Sequence, residues 1–210
     1  MMITYEQKLN RDVRWAFREG AMHFDKDNSV HASLQTITKR LRELNIPYVV
    51  VGGMAMFFHG YRRFTEDVDL LVSRDALREI HARLEGLGYV PPFAGSKQLR
   101  DAVTGVRIEF LVTGEYPGDG QPKPVAFPDP TECFTIIDDL RILPLPKLIE
   151  LKLASGMTGA GRLKDLADVE SLINVLDLPA DFAQQLNPYV QSKFDEIWQG
   201  VQKGRSEHNS

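Results

Sequence analysis

Cysteine is nearly absent from this sequence, and so are long apolar runs. The single cysteine, Cys133, has no second thiol for an intramolecular disulfide or for a cysteine-based zinc site. No apolar run approaches the length that crosses a bilayer, and the opening residues MMITYEQKLN lack the apolar core of a signal peptide. We therefore expect a cytoplasmic protein with no membrane partner.

An excess of basic residues is missing as well. The net charge is -4 and the pI is about 5.8, which argues against non-specific coating of nucleic acid but leaves room for a local basic patch. The apolar fraction of 43 % and the charged fraction of 26 % are ordinary for a globular protein. At 210 residues the chain can form one large domain, or a core domain with a helical appendage.

Helical and strand patterns are mixed in the amino-terminal part of the chain. Apolar spacing predicts a helix over residues 4–17, whose stripe of Tyr5, Leu9, Val13 and Phe17 is better explained by packing than by binding. A second helix follows Ser29. Strands are predicted at the segments 48–51, 67–72, 106–112 and 135–143.

The pattern changes near residue 145. Residues 113–130 are rich in glycine and proline and predict a loop, and the chain from residue 146 onward is helical in pattern. We therefore predict an α+β (mixed α/β) fold with three parts. These are an α/β core with amino-terminal helices (1–145), a helical carboxy-terminal part (146–203) and a polar tail (204–210).

Two aspartates interrupt a segment that otherwise has the pattern of a buried strand, DVDLLV. Residues two apart in a strand face the same side, so Asp67 and Asp69 share the face opposite Val68 and Leu70. Two unpaired carboxylates this close repel each other, and a divalent cation would keep both ionised. A simpler alternative is that both are solvated strand-end residues with Arg62 and Arg63 as surface partners.

The strand VRIEFLV carries a third carboxylate on its polar face. If this strand pairs beside residues 67–72, Glu109 stands next to Asp69. Three carboxylates on adjacent strands suit a hard cation such as Mg²⁺ or Mn²⁺. No His-Asp cluster is visible, which disfavours an ordinary metal-dependent hydrolase.

Gly52 and Gly53 follow the strand that ends at Val51 and precede a short apolar helix. Backbone N–H groups at such a turn attract phosphate, and the absence of a Cβ allows close approach. The pair is not a P-loop, because no Gly-Lys-Ser/Thr follows it. A tight turn alone would also explain two glycines.

Together these residues resemble the nucleotidyltransferase superfamily of the DNA polymerase beta type. The signature is Gly-Gly, a short helix, Asp-x-Asp and a third carboxylate on a neighbouring strand; here thirteen residues separate Gly53 from Asp67. The nearer resemblance is to AbiEii-type and MenT-like nucleotidyltransferase toxins. RFTEDVD matches their Arg-x-Ser/Thr-x-Asp-x-Asp motif, and residues 148–173 match their helical lysine and Arg-x-Lys-Asp segment.

The resemblance implies a nucleotidyltransferase-like core sheet and transfer of a nucleoside monophosphate from an NTP to an acceptor, with release of pyrophosphate. The residues that it implicates fall into three groups. Asp67, Asp69 and Glu109 would be catalytic and bind the metal, Gly52, Gly53, Arg63, Thr65 and Lys152 would bind the nucleotide, and Asp165 would orient Lys152 or Arg63 from behind.

The acceptor stays open at this stage. RNA, especially tRNA, is favoured by the resemblance, which also implies a toxin countered by an antitoxin protein; an antibiotic-type small molecule and a protein hydroxyl are alternatives. A non-catalytic nucleotide-binding module is a further alternative, because the family usually has aspartate where this chain has Glu109. Lys152 could also be an ordinary exposed lysine, and RLKDLAD a solvated face with salt bridges.

Overall fold

The computed structural model describes residues 3–208 and shows a mixed sheet flanked by helices. The α+β fold class predicted from the sequence is confirmed. The helices are α1 (Tyr5–Arg11), α2 (Val13–Phe24), α3 (Ser29–Glu43), α4 (Gly52–Phe58), α5 (Arg74–Leu84), α6 (Leu145–Gly156), α7 (Leu163–Leu176) and α8 (Pro188–His208).

Seven strands form one sheet in the order β3-β4-β5-β2-β1-β7-β6. Their bounds are β1 (Val49–Val51), β2 (Asp67–Val72), β3 (Tyr89–Val90), β4 (Gln98–Asp101), β5 (Arg107–Val112), β6 (Thr135–Ile137) and β7 (Leu140–Ile142). β2 pairs with β5 in parallel and β1 with β7 in parallel, while the other neighbours are antiparallel. The centre of the sheet is therefore formed by β2 and β5, which carry the three carboxylates, and by β1, which leads into Gly52 and Gly53.

The predicted helix over residues 4–17 is broken at Asp12. The backbone N–H of Asp12 ends α1 by donating to Lys8, and its carboxylate caps α2 by accepting from the N–H of Trp15 at 3.0 Å. The break separates the predicted packing stripe. Tyr5 is fully buried, but Val13 and Phe17 are 65 % and 77 % exposed, so the packing interpretation is wrong for its second half.

The segment predicted as one strand over residues 135–143 is a hairpin. Asp138 and Asp139 both have positive φ (49° and 61°), as the tight turn between β6 and β7 requires. Aspartate tolerates this conformation better than most residues.

α6, most of whose residues are buried, packs against α4 of the amino-terminal part and against α7 and α8. One apolar cluster runs from Tyr5 to Val201 and includes residues of the sheet, α6, α7 and α8. Residues 204–208, predicted as tail, continue α8; the last two residues of that predicted tail lie outside the described residues. Within residues 3–208, no helix combines the length and apolarity that crossing a membrane needs.

Candidate active site

The three predicted carboxylates lie on two neighbouring central strands. β2 and β5 are parallel and in register, with Asp69 opposite Glu109 and Asp67 opposite Arg107. The condition set in the sequence analysis, that these two strands are neighbours, is met. The alternating apolar residues Val68 and Leu70 are fully buried on the other face, so burial of that face turns the carboxylates toward the open side.

Gly52 and Gly53 lie directly against these polar side chains. Gly52 has a φ of +60°, and a Cβ there would lie 1.9 Å from Asp69 Oδ2. A Cβ on Gly53 would lie 2.6 Å from Thr65 Oγ1. Both glycines are therefore needed for Asp69 and Thr65 to approach the turn between β1 and α4.

Asp69 lies in an environment that is unfavourable for a charge. Burial, with the negative charges of Asp67 and Glu109 beside it, raises the pKa of the Asp69 carboxyl to about 7, although Lys152 and Arg107 act in the opposite direction. Neither Asp69 nor Glu109 forms an ion pair within the described part of the chain; Glu109 accepts only a long hydrogen bond of 3.4 Å from Gln98. Among residues 3–208, this pair of carboxylates therefore has no cation in direct contact.

Asp67 is engaged by the protein on both oxygens. Thr65 Oγ1 donates to Asp67 Oδ1 at 3.0 Å, and Arg107 Nη2 forms an ion pair and hydrogen bond with Oδ2. Among residues 3–208, no three His, Cys, Asp or Glu side chains are grouped so that they could hold a metal ion as they stand. The hard oxygen donors of the predicted set fit Mg²⁺ or Mn²⁺, and Arg107 would compete with such a cation for Asp67.

Lys152 faces the sheet from α6 and is held by two carboxylates of α7. Its Nζ donates to Asp168 Oδ2 at 2.7 Å and to Asp165 Oδ1 at 3.1 Å, and Lys152 is only 9 % exposed. A close crossing of the helices makes this possible, since a Cβ on Gly156 would lie 2.4 Å from Leu166 Cδ2. Lys152 is thus not an ordinary exposed lysine, and the interpretation of RLKDLAD as a purely solvated face is wrong.

Arg63 belongs to the same network. Its Nη2 donates to Asp168 Oδ2 at 3.2 Å and its Nε lies 3.0 Å from Oδ1. Asp165 Oδ2 accepts from Ser155 Oγ at 2.7 Å. Ion pairs connect Arg63, in the segment between α4 and β2, with Asp168 of α7, and Lys152 of α6 with both Asp165 and Asp168 of α7. We call these four residues the helical network.

A single cavity of about 570 Å³ joins the carboxylates to the helical network. The cavity is also lined by residues 116–120 of the loop that the glycine and proline residues predicted. Arg162 Nη2 donates to the Gly118 carbonyl of this loop at 3.1 Å. All nine predicted site residues border this cavity: Gly52, Gly53, Arg63, Thr65, Asp67, Asp69, Glu109, Lys152 and Asp165. Its volume is in the range of small-molecule sites.

Comparison with models of protein families identifies the family of this chain. Residues 3–123 match the model of a family described as uncharacterised nucleotidyltransferases. The chain belongs to this nucleotidyltransferase family. The prediction of a nucleotidyltransferase enzyme is thereby confirmed, while its AbiEii and MenT-like subtype is not. No curated protein matches the sequence.

Several solved structures resemble this nucleotidyltransferase at low identity. The antibiotic-resistance factor ANT(2'')-Ia is 13 % identical with a TM-score of 0.47, over 84 % of this chain and 94 % of that one. JHP933 from Helicobacter pylori is 16 % identical with a TM-score of 0.46, over 86 % and 93 %. The lincosamide antibiotic adenylyltransferase LnuA is 16 % identical with a TM-score of 0.45, over 68 % and 95 %.

Two residues that sequence reasoning left out of the nucleotidyltransferase site contact its members directly. Asp168 is buried and binds both Lys152 and Arg63, and Arg107 binds Asp67. The strand alternation already placed Arg107 on the polar face with Glu109, and parallel register places it opposite Asp67. For Asp168 the signal was an acidic residue three positions after Asp165, one helical turn along the same face.

Proposed function

We propose that this nucleotidyltransferase moves a nucleoside monophosphate from an NTP to an acceptor hydroxyl, with a divalent cation bound by Asp67, Asp69 and Glu109. The observation that carries the proposal is the pairing of Asp69 with Glu109 across β2 and β5 beside Gly52. Neither carboxylate forms an ion pair with another of the described residues. When bound, the cation would neutralise these carboxylates and polarise the phosphate oxygens. Mg²⁺ and Mn²⁺ both suit such ligands.

The reaction forms one bond and breaks another. The acceptor oxygen bonds to the α-phosphorus, the bond from this phosphorus to the bridging oxygen of the β-phosphate breaks, and pyrophosphate leaves. The acceptor hydroxyl loses its proton, and we assign Glu109 as the group that receives or directs it. Gly52 and Gly53 leave room for Asp69 and Thr65, and we propose that their backbone N–H groups face the phosphates.

The helical network brings two cations to the lining of the cavity, each already paired with carboxylates of α7. We propose that Lys152 and Arg63 face the triphosphate, and that Asp165 and Asp168 fix their positions. Thr65 acts through Asp67, because its hydroxyl donates to that carboxylate. The contacts with Asp165 and Asp168 hold the side chains of Lys152 and Arg63 in place before the nucleotide binds.

The cavity favours a small acceptor. Its charged lining has seven carboxylates and five basic side chains, so it is not the continuous basic groove that RNA needs. The carboxylates are Asp67, Asp69, Glu109, Glu115, Asp119, Asp165 and Asp168, and the basic residues are Arg63, Lys97, Lys152, Arg162 and Lys164. We propose a hydroxyl-bearing small molecule, such as an antibiotic, as the acceptor.

RNA is the second candidate. Arg162 and Lys164 are exposed at the cavity edge, where a single-stranded end could contact them. The role as a toxin with an antitoxin partner, implied by the resemblance, stays a prediction that depends on an RNA acceptor.

Label transfer tests the proposal. Purified protein receives each of the four α-³²P-labelled NTPs with Mg²⁺, in one series with total cellular RNA and in another with aminoglycoside and lincosamide antibiotics. An Asp67→Ala/Asp69→Ala variant is the inactive control, and Asp181→Asn, an exposed carboxylate, is the matched control that should keep activity.

Label in a small molecule supports the first acceptor, and label in RNA supports the second. Nucleotide binding with no label transferred to either class of acceptor, nor to added protein, would leave a nucleotide-binding module without transferase activity.

A further inference from the structure

Arg107 occupies the position opposite the first predicted metal ligand. It lies at the start of β5, in register with Asp67 on β2, and its Nη2 donates to Asp67 Oδ2. The Oδ1 atom accepts from Thr65. Both oxygens of Asp67 therefore bind protein donors, whereas Asp69 and Glu109 form no ion pair among the described residues.

This contact opposes a cation at Asp67. A guanidinium next to a carboxylate repels a divalent cation and shares the same lone pairs. Arg107 occupies one acceptor position of Asp67 Oδ2 and places a positive charge beside it. The arginine therefore competes with any cation that binds Asp67.

The arginine is only partly held in its present position. Its buried Nε has no hydrogen-bond partner within residues 3–208, and 36 % of its side chain is exposed. The same side chain also borders a second cavity of about 460 Å³ that Pro91, Gln98 and Arg100 line. Arg107 therefore has open space beside it into which its guanidinium can turn.

We propose that Arg107 is a positioning residue that neutralises Asp67 in the cation-free protein and releases it when a divalent cation binds. The proposal rests on the proposed function, since it requires the cation at Asp67 and Asp69. Arg107 then lowers the affinity for free metal and keeps Asp67 oriented beside Thr65. Once released, its guanidinium faces the second cavity.

Mn²⁺ affinity, measured by the electron paramagnetic resonance signal of unbound Mn²⁺, tests this role without any turnover. Arg107→Met removes the charge at similar length and should tighten Mn²⁺ binding about five- to tenfold. Arg107→Lys keeps the charge and should bind Mn²⁺ close to the wild-type affinity. Circular dichroism checks that each variant is folded.

Two comparisons separate the contact from the general effect of losing a positive charge. Lys97 borders the main cavity but pairs with Glu115 and not with Asp67, so Lys97→Met should change Mn²⁺ affinity less than about twofold. In an Asp67→Asn background, Arg107→Met should likewise change the affinity less than about twofold, because the pair is already broken.

The following results would overturn the proposal. Unchanged or weaker Mn²⁺ binding in Arg107→Met means that the arginine does not compete with the cation. Equal tightening in Lys97→Met, or in the Asp67→Asn background, means that only the overall charge matters. If neither the wild type nor Arg107→Met binds Mn²⁺, the proposed metal function itself fails, which is distinct from wild-type binding that Arg107→Met leaves unchanged.

Discussion

The two charged parts of the active-site cavity differ in how their charges are compensated. We call the helical network the helical wall, and Asp67, Asp69 and Glu109 on β2 and β5 the sheet wall. On the helical wall, Lys152 and Arg63 are matched by Asp165 and Asp168 within 3.2 Å. On the sheet wall, Asp69 and its neighbour Glu109 have no ion pair in the described chain. The helical wall is complete without a ligand, whereas the sheet wall needs positive charge from outside. The difference separates cations that the protein itself fixes in place from carboxylates whose charge the protein leaves without a direct partner.

The largest effect is expected from neutralising the sheet wall. Asp69→Asn removes a cation ligand and should lower the rate of nucleotide transfer by about 10³-fold. The measurement is single-turnover transfer of label from the preferred α-³²P-NTP. Asp181→Asn, which removes an exposed carboxylate, should retain the wild-type rate, and a mere few-fold loss in Asp69→Asn would contradict the assignment.

Removing an ion-pair partner from the helical wall should lower the stability of the folded protein. Asp168→Ala leaves Lys152 and Arg63 without their buried partner, and we expect the free energy of unfolding to fall by about 3 kcal/mol. Urea denaturation followed by circular dichroism measures it. An unchanged unfolding midpoint would show that the network is not a structural support.

Acid should weaken the support behind Arg63. The Arg63 carbonyl accepts from His23 Nε2 at 3.0 Å, and Asn28 links His23 to His31. Burial lowers the pKa of His31 to about 4, with His23 and Lys26 adding repulsion. The unfolded chain, whose histidines titrate near 6.5, takes up the proton first, so stability should fall between about pH 6.5 and 4.

For His31 the expected loss is about 3 kcal/mol once the pH is below 4. The free energy of unfolding, measured in urea from pH 7.5 to 4, should decline less steeply in His31→Gln than in the wild type. Identical slopes would show that His31 does not cause the acid sensitivity.

The turn beside the sheet wall should tolerate no side chain. Gly52→Ala places a Cβ against Asp69 at positive φ and should cost about 2 kcal/mol of unfolding free energy. Gly20→Ala is the matched control, because Gly20 lies in α2 with no neighbouring atom within 4 Å of an added Cβ. The control should be neutral or slightly stabilising; equal destabilisation of both variants would remove the special role of Gly52.

The sheet wall was more predictable from sequence than the helical wall. Strand alternation and pairing placed Asp69 beside Glu109 because a strand has only two faces. Lys152 could not be distinguished from a surface lysine, since its burial depends on a helix crossing at Gly156. The break at Asp12 was missed because its carboxylate favours a cap over continuation of the helix, a choice that the apolar period does not record.

Thermal unfolding tests most directly whether the sheet wall requires a cation. The unfolding midpoint is measured for the wild type and for Asp69→Asn, each with and without Mn²⁺. Without cation, Asp69→Asn should unfold at a higher temperature, because it removes repulsion from Asp67 and Glu109. Mn²⁺ should raise the midpoint of the wild type alone. A variant that is less stable without cation, together with equal shifts in Mn²⁺, would contradict the account.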